Sequence, residues 1–107
     1  MTKVKLLIGD NKLYGFEISG HSDYADEGSD IVCSAISSAS LMAANTITEV
    51  IGDRAEASMD DGYLSFRLID GSKASYQVLE GLKLHLTEIS EQYPENISII
   101  YGGVQNA

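Results

Sequence analysis

The chain has a single cysteine, Cys33, a single proline, Pro94, and no tryptophan among its 107 residues. One cysteine excludes an internal disulfide and any Cys-x-x-Cys redox pair. Basic residues are scarce too: 7 Lys and Arg stand against 16 Asp and Glu, a formal charge of −9. No Lys/Arg cluster occurs, so direct nucleic-acid binding is not expected. The acidity suits a basic polypeptide partner, and it equally suits plain solubility. No apolar run reads as membrane-spanning, and Met1-Thr2-Lys3-Val4-Lys5 lacks a signal-peptide layout. With a lone thiol, the expected setting is a reducing cytoplasm with no membrane partner. No linker, repeat or phosphate-binding glycine loop interrupts the chain, so residues 1–107 read as one domain. Its core is small, and a dimer would help to cover apolar surface.

What is present is a clear alternation of periods. Val4, Leu6 and Ile8 alternate with Lys3, Lys5 and Leu7, a strand pattern. After the turn residues Gly9-Asp10-Asn11-Lys12, Tyr14, Phe16 and Ile18 form a second strand. Residues 20–30 are polar and acidic and read as a loop. From Ile31 the period lengthens: Val32, Ile36, Ala39, Ala43, Ile47 and Val50 make an amphipathic helix stripe. Asp30 is the expected N-cap, with Ser29 the alternative, and Gly52 follows the C-terminus. Ala55, Ala57 and Met59 turn at Asp60-Asp61-Gly62 into Leu64, Phe66 and Leu68, a second hairpin. A second helix opens at Asp70-Gly71-Ser72, carries Leu79, Leu82, Leu86, Ile89 and Tyr93, and stops at Pro94. Ile97, Ile99 and Tyr101 form a last strand, and residues 102–107 read as a frayed tail. The order β-β-α-β-β-α-β predicts a two-layer α+β sandwich, a mostly antiparallel sheet with two helices on one face. Gly81, inside the second helix, is expected to mark a close helix contact.

Cys33 is the chemically informative residue. In the predicted first turn of the helix, unpaired N–H groups and the helix dipole favour the reactive thiolate. Its own row, Cys33, Ser37, Ser40 and Ala44, is small and partly polar, set about 100° from the apolar stripe. His21, twelve residues earlier, is placed to act as base or ion-pair partner. Gly20 before it permits close backbone approach. Tyr24 is a candidate substrate contact, and Ser37, one turn beyond Cys33, a candidate lining residue. Asp30 is either a cap or a group orienting His21. Against this stands the ordinary reading: free cysteine packs as a small hydrophobe, and a lone histidine is solvated. Asp23, Asp26 and Glu27 read as solvated carboxylates, with attraction of a basic substrate the alternative.

Other chemistries fit poorly. Asp23, Glu27 and Gly28 match three calcium-loop positions, but Ala25 and Ser34 fail two others. A zinc site from His21, Cys33 and His85 has no motif spacing behind it. No metal or cofactor is implied. The remaining rivals are a non-enzymatic acidic module that binds a basic polypeptide and a thiol redox sensor; the latter has no resolving cysteine in the chain.

Gly20-His21, then Gly28, then Asp30-Ile31-Val32-Cys33-Ser34-Ala35-Ile36-Ser37 resembles the signature of the ribosomal-processing cysteine proteases (Prp). The likeness is specific from Gly20 to Ser37 and one of pattern elsewhere. It implies that His21 and Cys33 are a catalytic dyad, that Asp30 and Ser37 match the family's aspartate and serine near the helix start, and that a loop, here Ser22–Ser29, closes over the site. It further implies cleavage of the N-terminal extension of a bacterial large-subunit ribosomal protein (number twenty-seven), by a homodimer. Ser22 and Ser34 stand where alanine is common in the family, both small exchanges.

Overall fold

The computed structural model describes residues 1–20 and 27–103, with the backbone alone for residues 27–30. Strands β1 (Thr2–Gly9) and β2 (Lys12–Ser19) form a hairpin, followed by helix α1 (Glu27–Asn45). A π-helical segment, Thr46–Ile51, continues α1. Then come strands β3 (Arg54–Asp60) and β4 (Tyr63–Asp70), helix α2 (Lys73–Gln92) and strand β5 (Ile97–Gly102). The order matches the expectation, and the spatial order is β3-β4-β2-β1-β5. Three neighbouring pairs are antiparallel, and β1–β5 is parallel. The α1 crossover leads from β2 to β3 and the α2 crossover from β4 to β5, on strands that run in opposite directions and step opposite ways. Connections of one hand therefore put both helices on one face.

That face holds the core. Val4, Leu6, Phe16, Ile18, Leu64 and Phe66 meet Val32, Ile36 and Ile47 of the first helical stretch and Leu79, Leu82 and Leu86 of α2. Phe16 and Phe66 stack at 5.4 Å between ring centroids, with planes 13° apart. The first turn has Asp10 and Asn11 both left-handed, φ 53° and 61°, which suits the twist of a two-residue hairpin. At Gly15 a Cβ would lie 2.2 Å from the Phe66 carbonyl, so β2 and β4 need glycine there.

Several expectations are corrected. The β1–β2 register shifts at Leu7/Ile8, so Leu13, rather than Tyr14, shares the buried face with Phe16 and Ile18. The bulge inserts one residue and inverts the alternation on either side of it. Leu7 is buried as well, on the sheet's other face, outside the core cluster. Val50 is 80% exposed, whereas Ile51 packs against the core. The cause is the π-helical segment: i→i+5 bonding, seen from Gly52 N–H to the Ile47 carbonyl at 3.0 Å, rotates the last turn away from the 3.6-residue stripe. Gly102 is the last residue of β5, paired with Leu7, rather than tail. Residues 104–107 lie outside the described residues. Ile31–Ile51 is a helical stretch long and apolar enough to span a membrane, with mean hydropathy 1.4, contrary to the sequence reading. Here Val32, Ile36, Ala43 and Ile47 turn part of that apolarity onto the sheet, while Ile31, Met42 and Val50 stay exposed.

Gly81 is not a close helix contact. It is exposed, and a Cβ there would meet nothing within 4 Å. It lines an apolar groove between the helices with Ala39, Ala43, Val78 and His85. Gly81→Ala is therefore expected to stabilise the fold by about 0.5–1 kcal/mol, read by urea unfolding, because helix propensity improves without a clash.

The start of α2 is held by a residue remote in sequence. Ser72 is the N-cap but makes no side-chain cap bond. The Asp53 carboxylate instead accepts from Ser72 N–H at 2.7 Å, Ser72 Oγ–H at 2.7 Å and Ser75 Oγ–H at 2.5 Å. These bonds, that from Ser75 foremost, hold the Asp53 pKa below the ordinary carboxylate value. A depressed pKa contributes stability above the unfolded value of about 3.9, and loses it as pH falls through the folded value. Asp53→Asn should thus lower the Tm at neutral pH, with the gap from wild type narrowing below about pH 4 in melts followed by circular dichroism.

Candidate active site

Pairing of β2 with β4 builds the site. Phe16 opposite Phe66 sets Ile18 opposite Leu64 and Ser19 opposite Tyr63. The pairing ends with Gly20 N–H donating to the Gly62 carbonyl at 3.0 Å. This brings the end of β2 against the tip of the β3–β4 hairpin. Gly20 has φ 97°, and a Cβ there would lie 2.7 Å from the Met1 carbonyl, so glycine is required on both counts. α1 crosses above, and the result is a cleft of about 250 Å³. Its walls include Gly20, Cys33, Ser37, Met59, Asp60 and Tyr63.

Three of the residues singled out from sequence thus share one cleft: Gly20, Cys33 and Ser37. Cys33 is free and half-buried, so its thiol is accessible from the cleft. Ser37 follows one helical turn later on the same face. The row then runs into the interior, where Ser40 and Ala44 are buried. Among the described residues the Ser40 hydroxyl has no hydrogen-bond partner. His21 and Tyr24 lie outside the described residues; His21 directly follows Gly20. The expected closing loop Ser22–Ser29 lies partly outside them, and its residues 27–29 belong to α1.

The helix start differs from expectation. α1 begins at Glu27, so Cys33 is its seventh residue rather than part of its first turn. Only the first four N–H groups of a helix are unpaired, and the Cys33 N–H lies beyond them. The helix-start argument for thiol reactivity therefore falls away. Asp30 lies inside the helix and is not its N-cap. The stretch 27–30 reads as loop in the sequence because its polarity hides a helical turn that has no apolar stripe of its own.

The sequence reading missed the hairpin tip. Met59, Asp60, Asp61 and Tyr63 are exposed and border the thiol cleft. The turn Asp60-Asp61-Gly62 was legible as a turn, but its place beside Gly20 depends on pairing between strands far apart in sequence. His85 sits on α2 in the interhelical groove, away from the residues that line the Cys33 cleft. Among the described residues no group of three or more His, Cys, Asp or Glu is arranged to hold a metal ion.

A family model described as cysteine protease Prp matches residues 1–98. The chain belongs to the Prp family of cysteine proteases. It is 30% identical over 105 residues to the ribosomal processing cysteine protease Prp of Staphylococcus aureus, covering 94% of this chain and 99% of that protein. The Bacillus subtilis protein of the same name is 24% identical over 97 residues, covering 84% of this chain and 87% of that one. Among solved structures, the Staphylococcus aureus Prp in complex with a substrate peptide matches with TM-score 0.87 at 28% identity. The match covers 94% of this chain and 99% of that one. The same protease with a covalently linked product peptide matches with TM-score 0.83, 28% identity and the same coverage. The mixed five-stranded sheet with two helices is thus the fold of the Prp structures, and the chain's family is that of ribosomal-processing cysteine peptidases.

The cleft makes a direct prediction. Ser37→Phe fills it beside the thiol, from a half-buried position whose backbone is helical. Alkylation of Cys33 by iodoacetamide, followed by mass spectrometry, should slow by at least about tenfold while the Tm moves by only a few degrees.

Proposed function

We propose that this chain is an endopeptidase in which Cys33 is the nucleophile and His21 its base. The carrying observation is that Cys33 lines a cleft together with Gly20, the residue covalently joined to His21. Membership of a cysteine protease family supports the same roles. His21 takes the thiol proton as Sγ adds to the scissile carbonyl carbon. The C–N bond breaks, the amine leaves with the proton held by the imidazolium, and a thioester remains on Cys33. Water, deprotonated by His21, adds to the thioester; the C–S bond breaks and the thiol is restored. Gly20 gives the substrate backbone room, Ser37 lines the opposite wall, and Tyr24 contacts the bound chain. Asp30 serves the site by orienting His21. No metal or cofactor takes part in these steps.

The substrate of this reading is the precursor of a basic large-subunit ribosomal protein (number twenty-seven), whose N-terminal extension is removed during ribosome assembly. Two observations support it: the formal charge of −9, complementary to a basic substrate, and the ribosomal-processing name of the relatives. The Staphylococcus aureus relative has been solved with a substrate peptide and with a covalently linked product peptide, which supports a peptide substrate and a covalent intermediate. We place the protein in the cytoplasm, where a lone thiol stays reduced. We also propose a homodimer: the outer face of α1 exposes Met42 and, just beyond it, Val50 beside serines and asparagine, over a shallow depression of about 750 Å³. A monomeric mass by light scattering would refute the dimer.

The decisive test is incubation with the ribosomal precursor, followed by mass spectrometry. Wild type trims it; Cys33→Ala binds it and loses on the order of 10⁴-fold or more in kcat/KM. His21→Ala loses activity and also slows thiol alkylation near neutral pH. Normal trimming by Cys33→Ala would refute the mechanism, and binding without trimming by wild type would favour the non-enzymatic module.

A further inference from the structure

We propose that β3 is the docking strand for the substrate: an extended segment of the peptide pairs with its free edge as a sixth strand and is thereby fed into the Cys33 cleft. The inference rests on the peptidase reading and adds where, and by which groups, the chain is gripped.

β3 is a terminal strand of the sheet, paired on one side only, with β4. The hairpin closes on Asp60 opposite Tyr63 across a two-residue turn. In such a turn the closing pair exchanges both backbone bonds. Antiparallel pairs then alternate, so Asp60, Ser58 and Glu56 spend their N–H and C=O groups on β4. Met59 and Ala57, at the positions between, direct theirs outward. No described strand takes them up. Side chains do not block the approach. Ala57 is small and exposed, and Met59 is 68% exposed on the same face of the strand.

Position separates this edge from the other. Met59 and Asp60 themselves line the cleft that holds Cys33, so the outward backbone of β3 leads straight to the thiol. The opposite edge, β5, is the more apolar, with Ile100 and Tyr101 about half exposed. Yet it lies four strand spacings away, about 19 Å, too far for a peptide paired there to enter the cleft directly. Exposed apolar edges invite promiscuous pairing, and charges on an edge discourage it. β3 carries Glu56 and Asp60 against a single cation, Arg54 at its start, with Asp61 in the turn after it, so the end of the edge beside the cleft attracts basic strands and repels acidic ones. A basic extended peptide meets both demands, backbone pairing and charge. Pairing through Ala57 and Met59 grips main chain rather than side chain. It therefore holds the substrate in the extended form that exposes a scissile bond.

The test uses a synthetic peptide spanning the cleavage junction of the ribosomal precursor, and a series in which each amide in turn is N-methylated. Methylation removes one donor and adds bulk at one backbone position. The expected profile has a period of two residues on one side of the scissile bond: methylation at alternate amides raises KM by at least about tenfold, with kcat within about twofold. In parallel, hydrogen exchange on Cys33→Ala with the unmethylated peptide should protect the Ala57 and Met59 amides and leave β5 unchanged. Cleavage with a flat methylation profile overturns the docking strand and leaves the peptidase reading intact. Protection along β5 instead overturns it as well. Protection of β3 that grows with protein concentration and needs no peptide assigns the edge to a second copy and also overturns it. Failure of wild type to cleave the unmethylated peptide overturns the peptidase reading, and the docking strand with it.

Discussion

The stacked pair Phe16–Phe66 is the contact on which the rest of the molecule depends. Both rings are fully buried, and they lie opposite each other on β2 and β4, strands that are neighbours in space but far apart in sequence. Burial of each ring is worth roughly 1.5–3 kcal/mol, with a further contribution from the stack. Its more important effect is register. A slip of one residue would send every side chain of β2 to the wrong face. Register at Phe16 is also what sets Gly20 against Gly62, four residues further on, and so brings the end of β2 to the hairpin tip.

The candidate site is a by-product of that register. Nothing in the Gly20–Cys33 segment by itself builds a cleft. The cleft exists because the β3–β4 hairpin extends past the core beneath α1. Tyr63 and Met59, which have no packing role in the core cluster, end up beside the thiol. The same hairpin leaves β3 as an edge, so the cleft and a strand with free backbone groups are parts of one element. Asp53 secures the far end: its carboxylate caps α2, whose leucines join the core cluster and which packs against β2 and β5. Cleft, edge and cap are thus all consequences of how β3 and β4 join the first hairpin.

Much of this was legible in the chain. The period-two runs and the two turns located all five strands, because alternation on a half-buried sheet is a local signal. The leucines of α2 and all of the α1 stripe but its last residue, Val50, were legible for the same reason. The failures were local too, and each has a physical cause. A bulge at Leu7/Ile8 inverted the alternation around Leu13 and Tyr14. A π-helical segment turned Val50 outward. An acidic first turn hid the true start of α1, and with it the position of Cys33 in the helix. Gly81, read as a contact, opens onto a groove. The bulge and the π-helical segment do not announce themselves in residue type, because each depends on how one extra residue is absorbed.

Cys33, Gly20 and Ser37 could be named from sequence because few residue types carry nucleophilic chemistry and the chain has a single thiol. The sequence also determined the element order, the acidity and the two-layer class, since these follow from composition and periodicity. The surroundings of the thiol were decided by tertiary structure alone. Met59, Asp60 and Tyr63 reach it through pairing between strands dozens of residues apart, and no local pattern encodes which strands will be neighbours. That choice belongs to the packing of the whole apolar face, and with it go the shape of the cleft and the edge that leads into it.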